Sequence, residues 1–408
     1  MTSAVTPAVK PPPVDPTDDS KRWWILALVA SAELFGMTLW FTASAVAPFL
    51  SERWQLTASE AGGLTTAVQL GFVVGTATAA LLNLADLVSA RWYVAISATA
   101  AALANAALLG VDALGPALVL RFATGFFLAG VYPPSMKMIA TWFQDHRGFA
   151  IGTLVGALTV GKATPYLIRA IPGSGLTGVV LTASAGALLA AFMVLAGYRD
   201  GPYRFERRPF SWGLVGSVWK HRPTRLATYG YLGHMWELYA MWTWIPAFLA
   251  ASVAARGDAG GTAAADLVAF GAIAAGGLGC LWGGRMADRM GRGPLVIRVL
   301  IASGLCSVLV GFFFEAPLLV LAPLTWIWGF FVVADSAQFS AMVTEVAPRH
   351  AVGTALTLQT SLGFLLSTVT IQVVPLLVDA FGWRWAFLIL ALGPIAGIAA
   401  IRQLRDQQ

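Results

Sequence analysis

The sequence predicts an all-α membrane protein: twelve transmembrane helices arranged as two related halves of six. Three observations carry that expectation. Of 408 residues, 58% are hydrophobic and only 11% charged, against about 25% charged in a soluble domain. Twelve apolar runs are long enough to cross a bilayer as helices. Two short polar signatures recur about half a chain apart.

The runs lie near 23–50, 59–84, 91–111, 114–140, 147–170, 176–198, 225–250, 266–284, 295–314, 317–344, 352–378 and 383–402. An even number returns the chain to the face on which it began. Residues 1–22 are Pro-rich at first and carry Asp18 and Asp19, which reads as a disordered cytoplasmic tail with no secretory signal. The interval 199–224 is the longest polar stretch between runs. Read as a cytoplasmic linker, it separates one bundle over 23–198 from a second over 225–402, with a short tail at 403–408.

Orientation follows from the basic residues. With the N-terminus in the cytoplasm, nineteen Lys and Arg fall on the side of the termini. Four fall opposite: Arg53, Arg169, Arg256 and Arg384. Basic loops are retained in the cytoplasm, so the expectation is a multi-pass protein of the cytoplasmic (inner) membrane with both termini inside. This distribution accounts for the net charge of +6 and removes nucleic acid as a partner. Cys280 and Cys306 lie in apolar helices and read as small core residues. No metal-ligand spacing, nucleophile elbow or cofactor motif appears, so no metal, cofactor or enzymatic activity is expected. Gly156 to Ala163 nearly spells a phosphate loop. Ala163 stands where Ser or Thr must hold magnesium, and no strand precedes it.

The most compact charge cluster lies between the eighth and ninth runs. Gly284, Asp288, Arg289, Gly291 and Arg292 fit G-x-x-x-D-R-x-G-R. Ionised groups are expensive in hydrocarbon, so this turn belongs at a water interface; its glycines permit a tight reversal and close helix approach. A weaker copy carries Asp86 and Arg91, with the two acids 202 positions apart. Leu82, Leu87 and Ser89 replace its other signature residues. His146-Arg147-Gly148 before Gly152-Thr153 is echoed by Arg349-His350 before Gly353-Thr354, at an offset of 201. These loops resemble the signature loop of the major facilitator superfamily of secondary transporters. The resemblance covers nearly the whole chain after residue 22. It implies two pseudo-symmetric six-helix bundles rocking about a central site near the bilayer midplane, with both loops as cytoplasmic gates.

Charged and polar groups inside spans face the bundle interior or a water-filled cavity and are functional candidates. Glu33 lies near mid-depth in the first span, on a face continued by Met37, Trp40 and Ser44. It reads as a proton site, a cation contact or a carboxyl satisfied by a neighbouring helix. Arg121, in Arg121-Phe122-Ala123-Thr124-Gly125, resembles the superfamily's R-x-x-x-G element, which implies proton coupling or anion holding. Its permanent charge needs a carboxylate, backbone carbonyls or an anionic substrate. Tyr132-Pro133-Pro134 is expected to kink or break the fourth helix. Lys137 reads as snorkelling to water. Lys162, between Gly161 and Pro165, reads as a midplane cation for an anionic substrate or as a partner of Glu33, Glu237 or Asp335. Superfamily drug–proton antiporters carry a Gly-Pro pair in the fifth span; here Lys162 follows Gly161.

The seventh span holds His234 and Glu237 three residues apart on one helical face, read as a proton-binding pair. Trp242 and Trp244 read as interfacial belt residues; Trp236 and Tyr239 lie deeper and read as packing or lining a cavity. In the tenth span Asp335 reads as a counter-charge or part of an inner gate, and Gln338 as a substrate contact or a helix bridge. Gln359 and Gln372 follow in the eleventh.

The expected function is proton-coupled transport of a small anionic organic solute by alternating access, with symport preferred and the monomer as the working unit. Substrate contacts are assigned to Arg121, Lys162, Tyr132, Trp236, Tyr239 and Gln338. Proton coupling is assigned to Glu33, His234, Glu237 and Asp335. The alternative is a proton-antiport exporter of hydrophobic compounds, which the aromatic seventh span supports. Nitrate porters of the superfamily place an Arg in the second and eighth spans, and neither span carries one at depth. A membrane enzyme or a non-transporting sensor is the reading from another class; the tails are short for a sensor's output domain.

Overall fold

The fold is a computed structural model that describes residues 16–82, 84–203, 211–258 and 261–406. Every described regular element is helical. A bilayer core offers no water, so each backbone N–H must find a carbonyl within its own segment. Among the described residues, twelve helical units are long and apolar enough to cross a membrane. In chain order they are spans 1 to 12: Ser20–Trp54, Ala58–Leu81, Ala90–Gly110, Leu114–Ala140, Arg147–Arg169, Gly175–Gly197, Arg222–Ala255, Thr262–Met290, Arg292–Phe313, Leu318–Val346, Arg349–Phe381 and Trp383–Arg405. With twelve crossings, span 1 begins and span 12 ends on one face, here the terminal face. The opposite face is the distal face.

Three spans are broken. Span 4 breaks between Leu128 and Tyr132 and restarts with its prolines in the first turn. Pro133 lacks an N–H and its ring collides with the carbonyl four residues back, that of Ala129. Span 10 breaks at Asp335. Span 1 breaks between Met37 and Thr42, with no proline in the break. The sequence predicts an unbroken helix there; the correction comes from tertiary hydrogen bonds described below.

The loop between spans 8 and 9 also differs from expectation. Helix continues to Met290 and resumes at Arg292, so only Gly291 intervenes, at φ +84°. That left-handed value explains the glycine. Gly284 has open space where a Cβ would stand; Gly283 is the residue of close approach, where a Cβ would lie 1.9 Å from the Ala334 carbonyl oxygen. The linker likewise contains a helix the sequence reading missed, Trp212–Lys220. It is tied to span 11 by Ser211 N–H donating to Thr354 Oγ1 at 3.0 Å.

Spans 1–6 pack among themselves, as do spans 7–12, and the halves meet along spans 5 and 8 and along spans 2 and 11. Glycines set the approach in both halves. A Cβ on Gly125 of span 4 would lie 1.9 Å from the Val68 carbonyl oxygen of span 2. One on Gly329 of span 10 would lie 1.6 Å from the Ala272 carbonyl oxygen of span 8. Any larger residue would force these backbones apart.

Polar contacts join the halves toward the distal face. Ser59 Oγ donates to Gln372 Oε1 at 2.7 Å, and Gln372 Nε2 donates to Thr66 Oγ1 at 3.0 Å. Ser367 Oγ donates to Gln69 Oε1 at 2.6 Å. At the distal ends of spans 5 and 8, the Arg169 guanidinium forks onto both carboxylate oxygens of Asp266 and reaches the Ala45 carbonyl of span 1 at 2.5 Å. Arg169, expected at the outer surface, is thus a partly buried clasp between the bundles. Arg169→Ala should lower unfolding free energy by about 1.5–3 kcal/mol, the range for a hydrogen bond to a charged group, and should raise maleimide labelling of a cysteine placed at Ala45. Unchanged labelling would mean that the clasp does not hold the distal face shut.

Candidate functional site

The bundles converge on Lys162 of span 5, which is 2% exposed. Its Nζ donates to Tyr239 Oη of span 7 at 2.6 Å and lies 3.9 Å from the Trp40 ring centroid. The Tyr239 and Trp242 rings lie at 4.9 and 5.4 Å. Among the described residues no carboxylate comes within ion-pair distance of it. The ammonium is held instead by ring faces, whose quadrupoles attract cations, and by one phenol.

The rings come from both halves. Trp40 and Phe72 of the first bundle meet Tyr239 and Phe364 of the second. Centroid separations are 5.2 Å for Trp40–Phe72, 5.8 Å for Trp40–Tyr239, 5.7 Å for Trp40–Phe364 and 4.8 Å for Phe72–Phe364. Trp40 Nε1, Trp242 Nε1 and Gln69 Nε2 are among the buried donors without an acceptor among the described residues, as is Arg121 Nε. Trp242 and Trp244 are 2% and 6% exposed, which corrects their expected place in an interfacial belt. Trp244 Nε1 donates to the Ile371 carbonyl at 2.8 Å and its ring packs on Gly62.

Glu33 and His234 stand 201 positions apart, the offset at which the halves repeat. The fold puts them in matching places, each in the first span of its half and against the break of the fourth. Glu33 is fully buried beside the Ser135 hydroxyl, which acts on its carboxyl, and neither oxygen makes a hydrogen bond of standard geometry among the described residues. Ser135 Oγ donates to the Val131 carbonyl at 2.8 Å. Lys162 acts on Glu33 electrostatically. In the second half, His234 Nδ1 lies 2.9 Å from Asp335 Oδ1 at the break of span 10. The expected His234–Glu237 pair does not form. Glu237 accepts from Ser303 Oγ at 2.9 Å and Trp328 Nε1 at 2.7 Å, facing spans 9 and 10. Its carboxyl bridges span 7 to spans 9 and 10.

Other candidates are redistributed. Arg121 donates to the Leu39 carbonyl at 2.9 Å, the Trp40 carbonyl at 2.6 Å and Asn105 Oδ1 at 2.8 Å. Those carbonyls belong to the break of span 1, so the guanidinium replaces the missing helical donors. Of the partners allowed to a buried arginine, it takes backbone. Trp236 Nε1 donates to the Ile389 carbonyl at 2.9 Å, which turns the ring to span 12 and away from the centre. Gln338 accepts from Arg292 at 2.7 Å, and Arg292 Nε donates to Glu345 Oε1 at 2.8 Å. Gln338 therefore belongs to the terminal-face network. Tyr132 is half-buried within electrostatic reach of Glu33 and Tyr231, near the centre.

Of the loop residues, Asp288 and Arg289 are exposed, and among the described residues neither has an ion pair. Arg285 lies 5.5 Å from the Phe149 ring of span 5 and so touches the other half. Arg91 is exposed over Trp92 at 6.0 Å. The side chain of Asp86 lies outside the described residues. The sequence reading passed over Phe72, Phe364, Gln69 and Asn105 as site residues. Gln69 and Asn105 carried a signal, since each is a lone amide in an otherwise apolar run.

Two six-helix bundles closed about a buried cation, a ring of aromatics and a pair of matched titratable groups define a membrane transporter. The chain belongs to the Major Facilitator Superfamily, whose family model matches residues 28–277. Its fold is similar to the crystal structure of a point mutant of the nucleoside transporter NupG, with a TM-score of 0.73 at 14% identity, covering 93% of this chain and 99% of that one. It is similar also to a bacterial homologue of the human lysosomal transporter Spinster, in an inward-facing and unoccupied conformation. There the TM-score is 0.72 at 13% identity, covering 97% and 99%. No curated protein matches the sequence. The protein is thus a multi-pass membrane transporter of a solute.

Proposed function

We propose that the protein is a proton-coupled carrier of a small organic anion, working by symport. The observation that carries this reading is Lys162: a buried ammonium between the bundles, with one hydrogen bond to Tyr239 and no acid partner among the described residues. A buried charge is costly unless paired, and an anionic solute is the partner that would relieve it. Because Lys162 and Tyr239 belong to different halves, an anion competing for the ammonium would also loosen the bond between them. Tyr132 and Tyr239 would line the path. Arg121 acts on the solute only through the backbone of Trp40.

The proton would be taken by Glu33, whose carboxyl has no ion-pair partner among the described residues and senses Lys162, with the His234–Asp335 pair as its counterpart in the second half. The terminal-face loops around Asp86, Arg91, Asp288 and Arg292 would gate the cytoplasmic side of the inner membrane. The monomer suffices, since both halves of the site come from one chain.

Uptake of externally added organic anions into proteoliposomes, counted above that of protein-free liposomes under the same gradient, tests the reading. An inside-alkaline gradient should drive accumulation that a protonophore abolishes. Accumulation indifferent to the gradient overturns proton coupling, and gradient-driven expulsion of lipophilic compounds favours the exporter reading that the aromatic centre also admits. Glu33→Gln should keep solute exchange across equilibrated membranes and lose uphill accumulation. Accumulation at the wild-type level in this variant would remove Glu33 from the proton path.

A further inference from the structure

We infer that the solute is an aryl carboxylate: a flat apolar ring bearing one carboxylate, rather than an inorganic, aliphatic or doubly charged anion. The inference rests on the proposed role of Lys162 and narrows it by three observations.

The first is the count of cations. Lys162 is the buried ammonium at the centre, and the guanidinium of Arg121 is committed to two carbonyls and an amide. One cation matches one carboxylate. A phosphate or a dicarboxylate would bring a second charge for which no second free cation is at hand among the described residues, and a buried unpaired charge is costly.

The second is the set of donors. Trp40 Nε1, Trp242 Nε1 and Gln69 Nε2 are buried without acceptors among the described residues, and both indole rings lie within 5.4 Å of the ammonium. A carboxylate offers about four lone-pair positions and no donor. A donor-rich surround of this kind accepts it and disfavours protonated amines, which offer donors and no acceptor.

The third is the ring geometry. Trp40–Tyr239, Trp40–Phe364 and Phe72–Phe364 each pair a ring of one bundle with a ring of the other, at 5.8, 5.7 and 4.8 Å. Rocking the bundles apart separates these pairs. A solute ring entering between them would restore offset or edge-to-face contacts at about 4.5–7 Å while its carboxylate reaches Lys162. An acetate-sized acid has no face to offer.

The test is a thermal-shift titration of the full-length protein in lipid nanodiscs with benzoate, benzamide, acetate, succinate and inorganic phosphate. Benzoate should bind at least about tenfold more tightly than acetate through ring contacts, and about tenfold more tightly than benzamide through the charge-assisted bond. Acetate, succinate or phosphate matching benzoate overturns the aryl inference while the anion reading stands. Benzamide matching benzoate overturns both. Phe72→Leu supplies an independent readout: the benzoate-to-acetate preference should shrink at least about threefold as one ring is lost. An unchanged preference overturns the inference.

Discussion

Lys162→Gln should abolish measurable transport, a loss of about 100-fold or more, in a protein that unfolds no more easily than wild type. Truncating one member of a buried charge pair costs about 2–5 kcal/mol, and about 1.4 kcal/mol is tenfold in affinity. The glutamine keeps a hydrogen-bond donor on a side chain one atom shorter and removes the charge. Stability should hold because a buried ammonium without an acid partner is a burden to the fold. What it gains from Trp40 at 3.9 Å and from Tyr239 is about 2 kcal/mol from the ring face when desolvated and a single hydrogen bond. The paired measurement is solute uptake in proteoliposomes with the unfolding midpoint of the same preparation. Uptake within threefold of wild type, about 0.7 kcal/mol, would show that the ammonium serves packing alone. A collapse of the midpoint would show it to be a structural cation.

Arg121→Met should have the opposite profile: the fold fails first. Three acceptors depend on this guanidinium, and two are backbone carbonyls at the break of span 1. An orphaned buried polar group costs about 1–3 kcal/mol, so the variant should lose about 4 kcal/mol or more. The expected signs are little monodisperse protein and a strongly lowered midpoint. Arg121→Lys should recover only part of the loss, because a compact ammonium cannot span acceptors that a planar fork reaches together. A methionine variant with the wild-type midpoint would return Arg121 to the set of anion-holding groups.

The two arginine elements show where sequence reasoning stops. That Arg121 must be paired follows from its permanent charge in an apolar run. Which partner it takes depends on span 1 unwinding opposite it, and no proline or glycine between Met37 and Thr42 announces that break. Arg169 was read as an outer-surface charge by its place at a span end. It is partly buried because Asp266 of span 8 comes up against it across the bundles. Trp236 reads from the sequence as a deep ring that packs or lines a cavity; its indole turns to the Ile389 carbonyl of span 12, since position along a helix says nothing about azimuth.

The sequence by itself determined the number and order of the spans, the half-chain repeat, and the short roster of charges that must be accommodated within hydrocarbon. Those follow from composition along one dimension, because a bilayer sorts residues by depth. Only the tertiary structure decided who meets whom. His234 and Glu237 lie one helical turn apart, yet one meets Asp335 at the break of span 10 and the other meets Ser303 and Trp328. Helical spacing sets which residues share a face. The neighbours opposite that face, and the breaks that bring Asp335 to His234 and the span 1 carbonyls to Arg121, are set by how separate helices pack in three dimensions.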